Sequence, residues 1–154
     1  MEDVILNEAK KDYYCPSHTT EHILNQTMVR MFGCGRASNA HIERKKSKCD
    51  YNLPSMPTDE QIAEIEAKVN DVIAQNLPVF SELMTRDDAK AKFNLERLPE
   101  DASETLKIVH VGDYDACPCI GAHVENTSEI GQFKILSSNY ENGIWRVRWK
   151  ITNN

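Results

Sequence analysis

The feature that most limits how this chain can fold is a pair of histidines, His18 and His22, in the run Ser17-His18-Thr19-Thr20-Glu21-His22-Ile23-Leu24. On a helix turning roughly 100° per residue they stand one turn apart, about 40° round from each other. Asn25 and Val29 continue their stripe, whereas Ile23, Leu24, Thr27, Met28 and Met31 fall on a separate broad arc. The pattern predicts a helix over about 18–32 with two faces. One is a core face; the other carries both imidazoles and lines a cleft. Ser17 suits the N-cap, and Gly33 and Gly35 end the helix. The plain alternative is a pair of packed or surface histidines with no ligand, since this spacing also arises by chance. Thr19 stands where a zincin metalloprotease carries glutamate, which argues against that chemistry.

The 154 residues are 40% apolar and 27% charged, as expected of one domain, 1–154, with a real core. No apolar run approaches the ~20 residues that span a bilayer, so no membrane partner is expected. The acidic start, Met1-Glu2-Asp3-Val4, lacks a signal-peptide pattern, which makes export an unfavoured reading. Cys15, Cys34 and Cys49 are scattered and the cysteines number five, which suits reduced thiols in the cytoplasm better than a disulfide framework. A net charge of −6 makes nucleic acid an unnatural partner for the chain as a whole, so any RNA contact must use local basic patches.

Residues 1–17 read as a polar lead-in bearing Tyr13 and Tyr14. Arg36 to Asp50 reads as a basic, hairpin-like excursion, and Cys49 to Leu53 as a strand ended by Pro54 and Pro57. The clearest helix opens with a capping box at Thr58 and Gln61 and carries Ile62, Ile65, Val69, Val72 and Ile73 to about Asn76. Val79 to Met84 reads as a strand, Arg86 to Lys92 as a short helix and Pro99 to Ser103 as a loop. Thr105 to Val111 is a strand closed by Gly112, and a loop of Asp113 to Pro118 then delivers Cys119. Gln132 to Ser138 and Ile144 to Ile151 form an antiparallel pair around the turn Asn142-Gly143. The expected fold class is α+β: a two-layer α/β sandwich, its mostly antiparallel sheet packed on two main helices.

A second pair, Cys119 and His123, lies in Cys117-Pro118-Cys119-Ile120-Gly121-Ala122-His123-Val124. Thiolate and neutral imidazole favour zinc over magnesium or calcium. C-x-x-x-H alone is weak, but joined to the first pair it offers four ligands for one ion. Cys117 is an alternative ligand beside Cys119. His110, in a β pattern with Leu106 and Ile108, reads as a packed or edge histidine, and His41 as solvated. Asn25 reads either as a substrate contact or as a capped or solvated amide.

On these residues the chain resembles the editing domain shared by alanyl- and threonyl-tRNA synthetases, and is most similar to short, free-standing AlaX-type deacylases. The likeness rests on His18-Thr19-x-x-His22-Ile23-Leu24 and on Cys119-x-Gly121-x-His123-Val124. Val69-Asn70, Asn76-Leu77-Pro78-Val79, Glu129-Ile130-Gly131 and Trp145-Arg146-Val147-Arg148-Trp149 agree with it, so the likeness runs from about Ser17 to Ile151. The alanyl type usually reads C-x-G-T-H and the threonyl type C-x-G-P-H. Ala122 stands at the variable position here, and Ile120 replaces a common glycine.

The resemblance implies a zinc-dependent hydrolase that acts in trans on mischarged tRNA. The implied substrate is serine, or glycine, esterified to alanine tRNA. It also implies His18, His22 and Cys119 as zinc ligands, with His123 a ligand or a near neighbour. Competing readings are a deacylase of seryl threonine tRNA, a non-catalytic zinc-stabilised tRNA-binding module, and a hydrolase of free aminoacyl esters. The candidate RNA contacts are Arg44, Lys45, Lys46 and Lys48, and Arg146, Arg148 and Lys150 on one strand face. Trp145 and Trp149, on the opposite face, read as core.

Overall fold

The computed structural model describes residues 14–92, 105–119 and 121–152. The expectations for Tyr13 and the lead-in before it, for the Pro99–Ser103 loop and for Ile120 fall outside the described residues. The elements run α1 (Cys15–Phe32), β1 (Asn39–His41), β2 (Ser47–Asn52), α2 (Asp59–Ala74), β3 (Val79–Thr85) and α3 (Arg86–Lys92). They continue with β4 (Thr105–Val111), β5 (Asp115–Pro118), a 3-10 turn (Thr127–Glu129), β6 (Gln132–Glu141) and β7 (Ile144–Thr152).

Helix α1 begins earlier than the serine signal implied. Tyr14 is the N-cap and makes no side-chain cap, while Pro16 occupies the first turn. A proline there loses an N–H that has no helical partner in any case, and its fixed φ suits the helix. Ser17 is therefore an internal, buried residue and not the cap. The far end is as read, with Gly33 closing the helix in the left-handed conformation at φ 66.

Helix α2 opens with the expected capping box. Thr58 Oγ1 accepts from the Gln61 N–H at 3.1 Å, and Gln61 Oε1 accepts from the Thr58 N–H at 2.9 Å. Its apolar stripe, Ile65, Val69, Val72 and Ile73, is buried. Two polar residues fasten it to β6. Glu66 accepts from the Ile135 N–H at 2.7 Å, and the Asn70 amide bonds both the N–H and the C=O of Phe133. These bonds satisfy backbone groups on the edge of the sheet and so help to cover that edge.

The strands form two antiparallel sheets, one ordered β1-β2-β7-β6 and the other β3-β4-β5. The expected α+β sandwich holds. Alternation puts Tyr51, Phe133, Trp145, Val147 and Trp149 on the inner face of the larger sheet, packed with Ile23, Leu24 and Met28 of α1 and Ile65 and Val69 of α2. Both tryptophans are core, as read. The β6–β7 turn is made by Asn142 and Gly143 at φ 54 and 79, the left-handed pair a two-residue hairpin requires.

One expectation fails with consequences for the site. Asp113 to Pro118 is not all loop. The chain turns tightly after Gly112, and Asp115–Pro118 pairs with β4, Val111 opposite Asp115 and Ile108 opposite Pro118. The pairing continues one step further, through a 3.0 Å bond from the Cys119 N–H to the Lys107 C=O. Asp115, Cys117 and Cys119 thus share one strand face, set by period two.

Candidate metal centre

The β4–β5 hairpin is docked on α1 by side chains of both. Tyr114 Oη and Thr27 Oγ1 lie 2.6 Å apart, and Arg30 donates to the Tyr114 C=O at 3.0 Å while stacking on its ring. The segment after Cys119 is stitched to the start of α1. Gly121 holds φ 112, a conformation that suits glycine, and there the chain reverses between Cys119 and His123. Lys107 Nζ donates to the Gly121 C=O, and the Val124 N–H donates to Thr19 Oγ1 at 3.1 Å.

This docking brings His18, His22, Cys119 and His123 together, with one ligand atom from each lying within 4.8 Å of all the others. Cys119 Sγ is 3.3 Å from His18 Nε2. The His18 and His123 rings stack at 4.1 Å, and His22 meets His123 edge-on at 4.8 Å. The four residues expected from the two motifs are the four that meet. Both histidines of α1 are buried, while Cys119 and His123 are half-buried.

The remaining bonds of each ring decide whether a metal fits. His18 Nδ1 lies 3.0 Å from the Ala122 C=O, an acceptor only, so Nδ1 carries the proton and Nε2 presents a lone pair. His22 Nδ1 lies 3.3 Å from Asp115 Oδ2, and a carboxylate imposes the same tautomer. His123 Nδ1 contacts Thr19 Oγ1 at 3.2 Å, and its Nε2 is buried with no hydrogen-bond partner. A buried orphan nitrogen is costly in a dry protein, and it is what a metal ligand looks like when the ion is left out. Three nitrogens and one sulfur are zinc's preferred donors; tetrahedral zinc sets them roughly 3.3–3.8 Å apart, so the widest pair needs to close by about an ångström. The set fits zinc.

Behind His22 lies a group that motif reading did not find. The Asp115 carboxylate is fully buried. It accepts two bonds from Arg36, at 2.7 and 3.1 Å, and one from Gln26 at 3.0 Å, besides the His22 contact. Burial alone would raise its pKa, but His22 and Arg36 outweigh that and hold it at about 2. The carboxylate is therefore ionised at any ordinary pH. For His22, burial opposes the charged form, but attraction to Cys119 and hydrogen bonds to Asp115, Cys117 and Cys119 raise its pKa well above the usual histidine value. For His123, burial and then the neighbouring His22, His18 and Lys107 charges push it far down. Of these two rings, His22 is the one that favours the proton and His123 the one that sheds it. Gln26, Arg36, Lys107 and Asp115 carried no motif signal, because their partners lie 14 to 93 residues away in sequence.

Other candidates fall elsewhere. Cys117 reaches the His22 ring but stands outside the four-residue cluster, its thiol donating to the Pro118 C=O at 3.2 Å. Asn25 is not solvated. It is buried, and its Oδ1 accepts from the Ala37 N–H at 3.2 Å and from Tyr51 Oη at 2.6 Å. His110 is a packed histidine, half-buried on β4, the central strand of its sheet, stacked on Phe80 and bonded to Glu82 at 2.8 Å, and His41 is exposed. Arg44, Lys45 and Lys46 are exposed between β1 and β2, and Lys48 lies on β2. Arg146, Arg148 and Lys150 share the outer face of β7, where Arg146 is clamped by Asp50 at 2.8 and 2.9 Å. None of these seven joins the metal cluster.

Residues 106–148, which include Cys119 and His123, match the family model described as the threonyl and alanyl tRNA synthetase second additional domain. Among curated proteins the chain is similar to alanine–tRNA ligase of Pseudoalteromonas translucida, 33% identical over 144 residues, 92% of this chain and 16% of the relative. The alanine–tRNA ligase of Caldicellulosiruptor saccharolyticus is 34% identical over 141 residues, 90% of this chain and 16% of the relative. Alanine–tRNA ligase 1 of Lachnoclostridium phytofermentans is 30% identical over 133 residues, 86% of this chain and 15% of the relative. The chain thus spans about a sixth of the length of these relatives.

Proposed function

The chain belongs to the editing-domain-like family of alanyl- and threonyl-tRNA synthetases, and on that premise we propose that it is a zinc-dependent hydrolase of mischarged tRNA. Its reaction is cleavage of the ester between a wrong amino acid and the 3′ end of the tRNA. The substrate we favour is serine, or glycine, on alanine tRNA, because the relatives are alanine–tRNA ligases. We read residues 1–154 as one such domain. We place it in the cytoplasm, a reducing compartment that suits five cysteines joined by no disulfide. Among the described residues no helix is long and apolar enough to cross a membrane.

The observation that carries the proposal is the convergence of four donors around an orphan nitrogen, His123 Nε2. His18, His22, His123 and Cys119 would hold the ion. Zinc there would supply Lewis acidity, enough to polarise an ester carbonyl or bring the pKa of a water to about 7. The chain's own residues set the conditions. Ala122 and Asp115 fix two imidazoles in the ligating tautomer. Thr19 orients the third and holds the loop that bears it. The buried α1 side of the cluster excludes water, while the half-buried Cys119 and His123 leave the other side open to a reactant. The seven basic residues are our candidate RNA contacts.

A second reading has its own support. Four donors complete a tetrahedral shell, which is the pattern of a structural ion and would make the chain a tRNA-binding module without turnover. A panel of charged tRNAs, incubated with zinc-loaded protein, separates the two. Release of serine from alanine tRNA, with alanine left in place, supports the hydrolase. Serine released only from threonine tRNA moves the substrate, and no release from any charged tRNA ends the enzymatic reading in favour of the module.

A further inference from the structure

Strand register assembles a surface that sequence reading had divided into two clusters. Residues paired across antiparallel strands point to the same side. His41, Lys48, Arg148 and Ser137 form one row across all four strands of the larger sheet. Asn39, Asp50, Arg146 and Asn139 form the next row, and Lys150 pairs with Lys134 towards the other end. All stand on the outer face, turned away from the core against which α1 and α2 pack. The loop bearing Arg44, Lys45 and Lys46 enters β2 directly before Ser47, which pairs with Trp149, so it lies at the Lys150–Lys134 end of the sheet, with Arg44 stacked on Tyr14 at the start of α1. Lys48 of the first cluster thus shares one field with Arg146, Arg148 and Lys150 of the second.

Two features of this field are unfavourable for the protein alone. Lys48 stands opposite Arg148, and Lys134 opposite Lys150, like charges that destabilise a sheet when directly paired. The acids on the outward positions of these strands are Asp50, already clamped by Arg146, and Glu141 at the far end. A chain of net charge −6 has thus collected Lys48, Lys134, Arg146, Arg148 and Lys150 on one face, where Asp50 faces both Arg146 and Lys48. Between them lie short hydrogen-bonding side chains, Asn39, Ser137, Asn139 and Gln132. The aromatic residues of the same strands, Tyr51, Phe133, Tyr140, Trp145 and Trp149, all turn inward, Tyr140 half-buried and the others buried, so the face offers no Trp, Tyr or Phe on which a base can stack.

We infer that the outer face of the four-stranded sheet binds the phosphate backbone of double-stranded RNA, at a place separate from the metal centre. Cations supply the affinity, the amides and hydroxyls add contacts to phosphate and sugar, and sequence is not read. Only the name of the RNA, a tRNA arm away from its aminoacylated end, rests on the proposed function.

The test uses the full-length protein and two probes, an uncharged tRNA and a short RNA hairpin with no single-stranded 3′ end. Fluorescence anisotropy gives Kd over a series of salt concentrations. The variant Lys48→Gln/Arg148→Gln/Lys134→Gln/Lys150→Gln should weaken hairpin binding about tenfold or more and reduce the slope of log K against log salt by about 3. Circular dichroism checks its fold, and the double variant Lys134→Gln/Lys150→Gln, at the sheet margin, gives a smaller change of the same sign. Chelating the metal should leave hairpin binding unchanged. Unaltered hairpin affinity in the quadruple variant overturns the inference. So does equal binding to phosphatidylserine vesicles, which would make the face a general anion surface. Wild-type protein that deacylates full tRNA but does not bind the hairpin condemns this surface alone; wild-type protein that binds the hairpin but deacylates no charged tRNA condemns the enzymatic reading alone.

Discussion

Replacing Asp115 by asparagine isolates the group behind His22. The new amide would keep the shape, lose the charge, and offer its nitrogen or its oxygen to His22 Nδ1 with nothing to decide between them. Two effects follow. Arg36 loses the carboxylate that binds it at 2.7 and 3.1 Å. Breaking a buried pair costs about 3–5 kcal/mol, and the Arg36 side chain, 27% exposed, keeps part of its hydration, so the stability loss should be about 2–4 kcal/mol. The second effect is on the metal. Removing the partner of a ligating imidazole lowers affinity by about 10–100-fold, or about 1.4–2.7 kcal/mol. Urea unfolding of the metal-free protein gives the first number, and competition against a chromophoric chelator, in buffer where the variant is folded, gives the second. Asp115→Glu, which keeps the charge, should recover part of the affinity. A stability loss with zinc affinity unchanged would refute the reasoning, because Asp115 would then merely neutralise Arg36.

The acid limb of the stability curve reports the same carboxylate. Its folded pKa, about 2, lies below the unfolded value of about 4, so its contribution of about 2 kcal/mol is complete above pH ~4 and lost as pH falls through ~2; urea midpoints of metal-free protein across that window should fall less in Asp115→Asn than in the wild type, the remaining fall coming from carboxylates such as Asp50, held low by Arg146. Thr19→Val removes the acceptor used by the Val124 N–H and the partner of His123 Nδ1, and should cost about 1–3 kcal/mol in a thermal melt and weaken zinc binding. Asn25→Ala leaves Tyr51 Oη and the Ala37 N–H without their buried acceptor; it should cost about 2–3 kcal/mol while leaving zinc affinity unchanged, since neither group touches the cluster.

What the sequence disclosed and what it hid divide along a physical line. Periodicity and caps are local, so α2 with its Thr58–Gln61 box, the Asn142-Gly143 hairpin and the core position of Trp145 and Trp149 were all legible. So were the four clustered donors, His18, His22, Cys119 and His123, whose residue types are rare enough for their spacing to speak. The start of α1 is harder to place, because Ser17 has the chemistry of a cap and masks the competing signal of Pro16, a residue favoured in a first turn. Asn25 shares a helical stripe with His22, yet the stripe could not show that Tyr51 and Ala37 would claim its oxygen. Asp115 was hidden most deeply. An aspartate in a short polar segment looks like any loop acid, and its role exists only once β5 pairs with β4 and the hairpin leans on α1. Register also gathered the basic residues: Lys134 and His41 lie outside the clusters they join when the chain is read in order.

The most direct test of the account is single-turnover deacylation of serine-charged alanine tRNA by the protein as zinc-loaded, zinc-stripped and zinc-restored. The account predicts rapid release when loaded, loss of at least about a hundredfold in rate, about 2.7 kcal/mol of barrier, when stripped, and full recovery when zinc returns. Equal rates in all three states would contradict it.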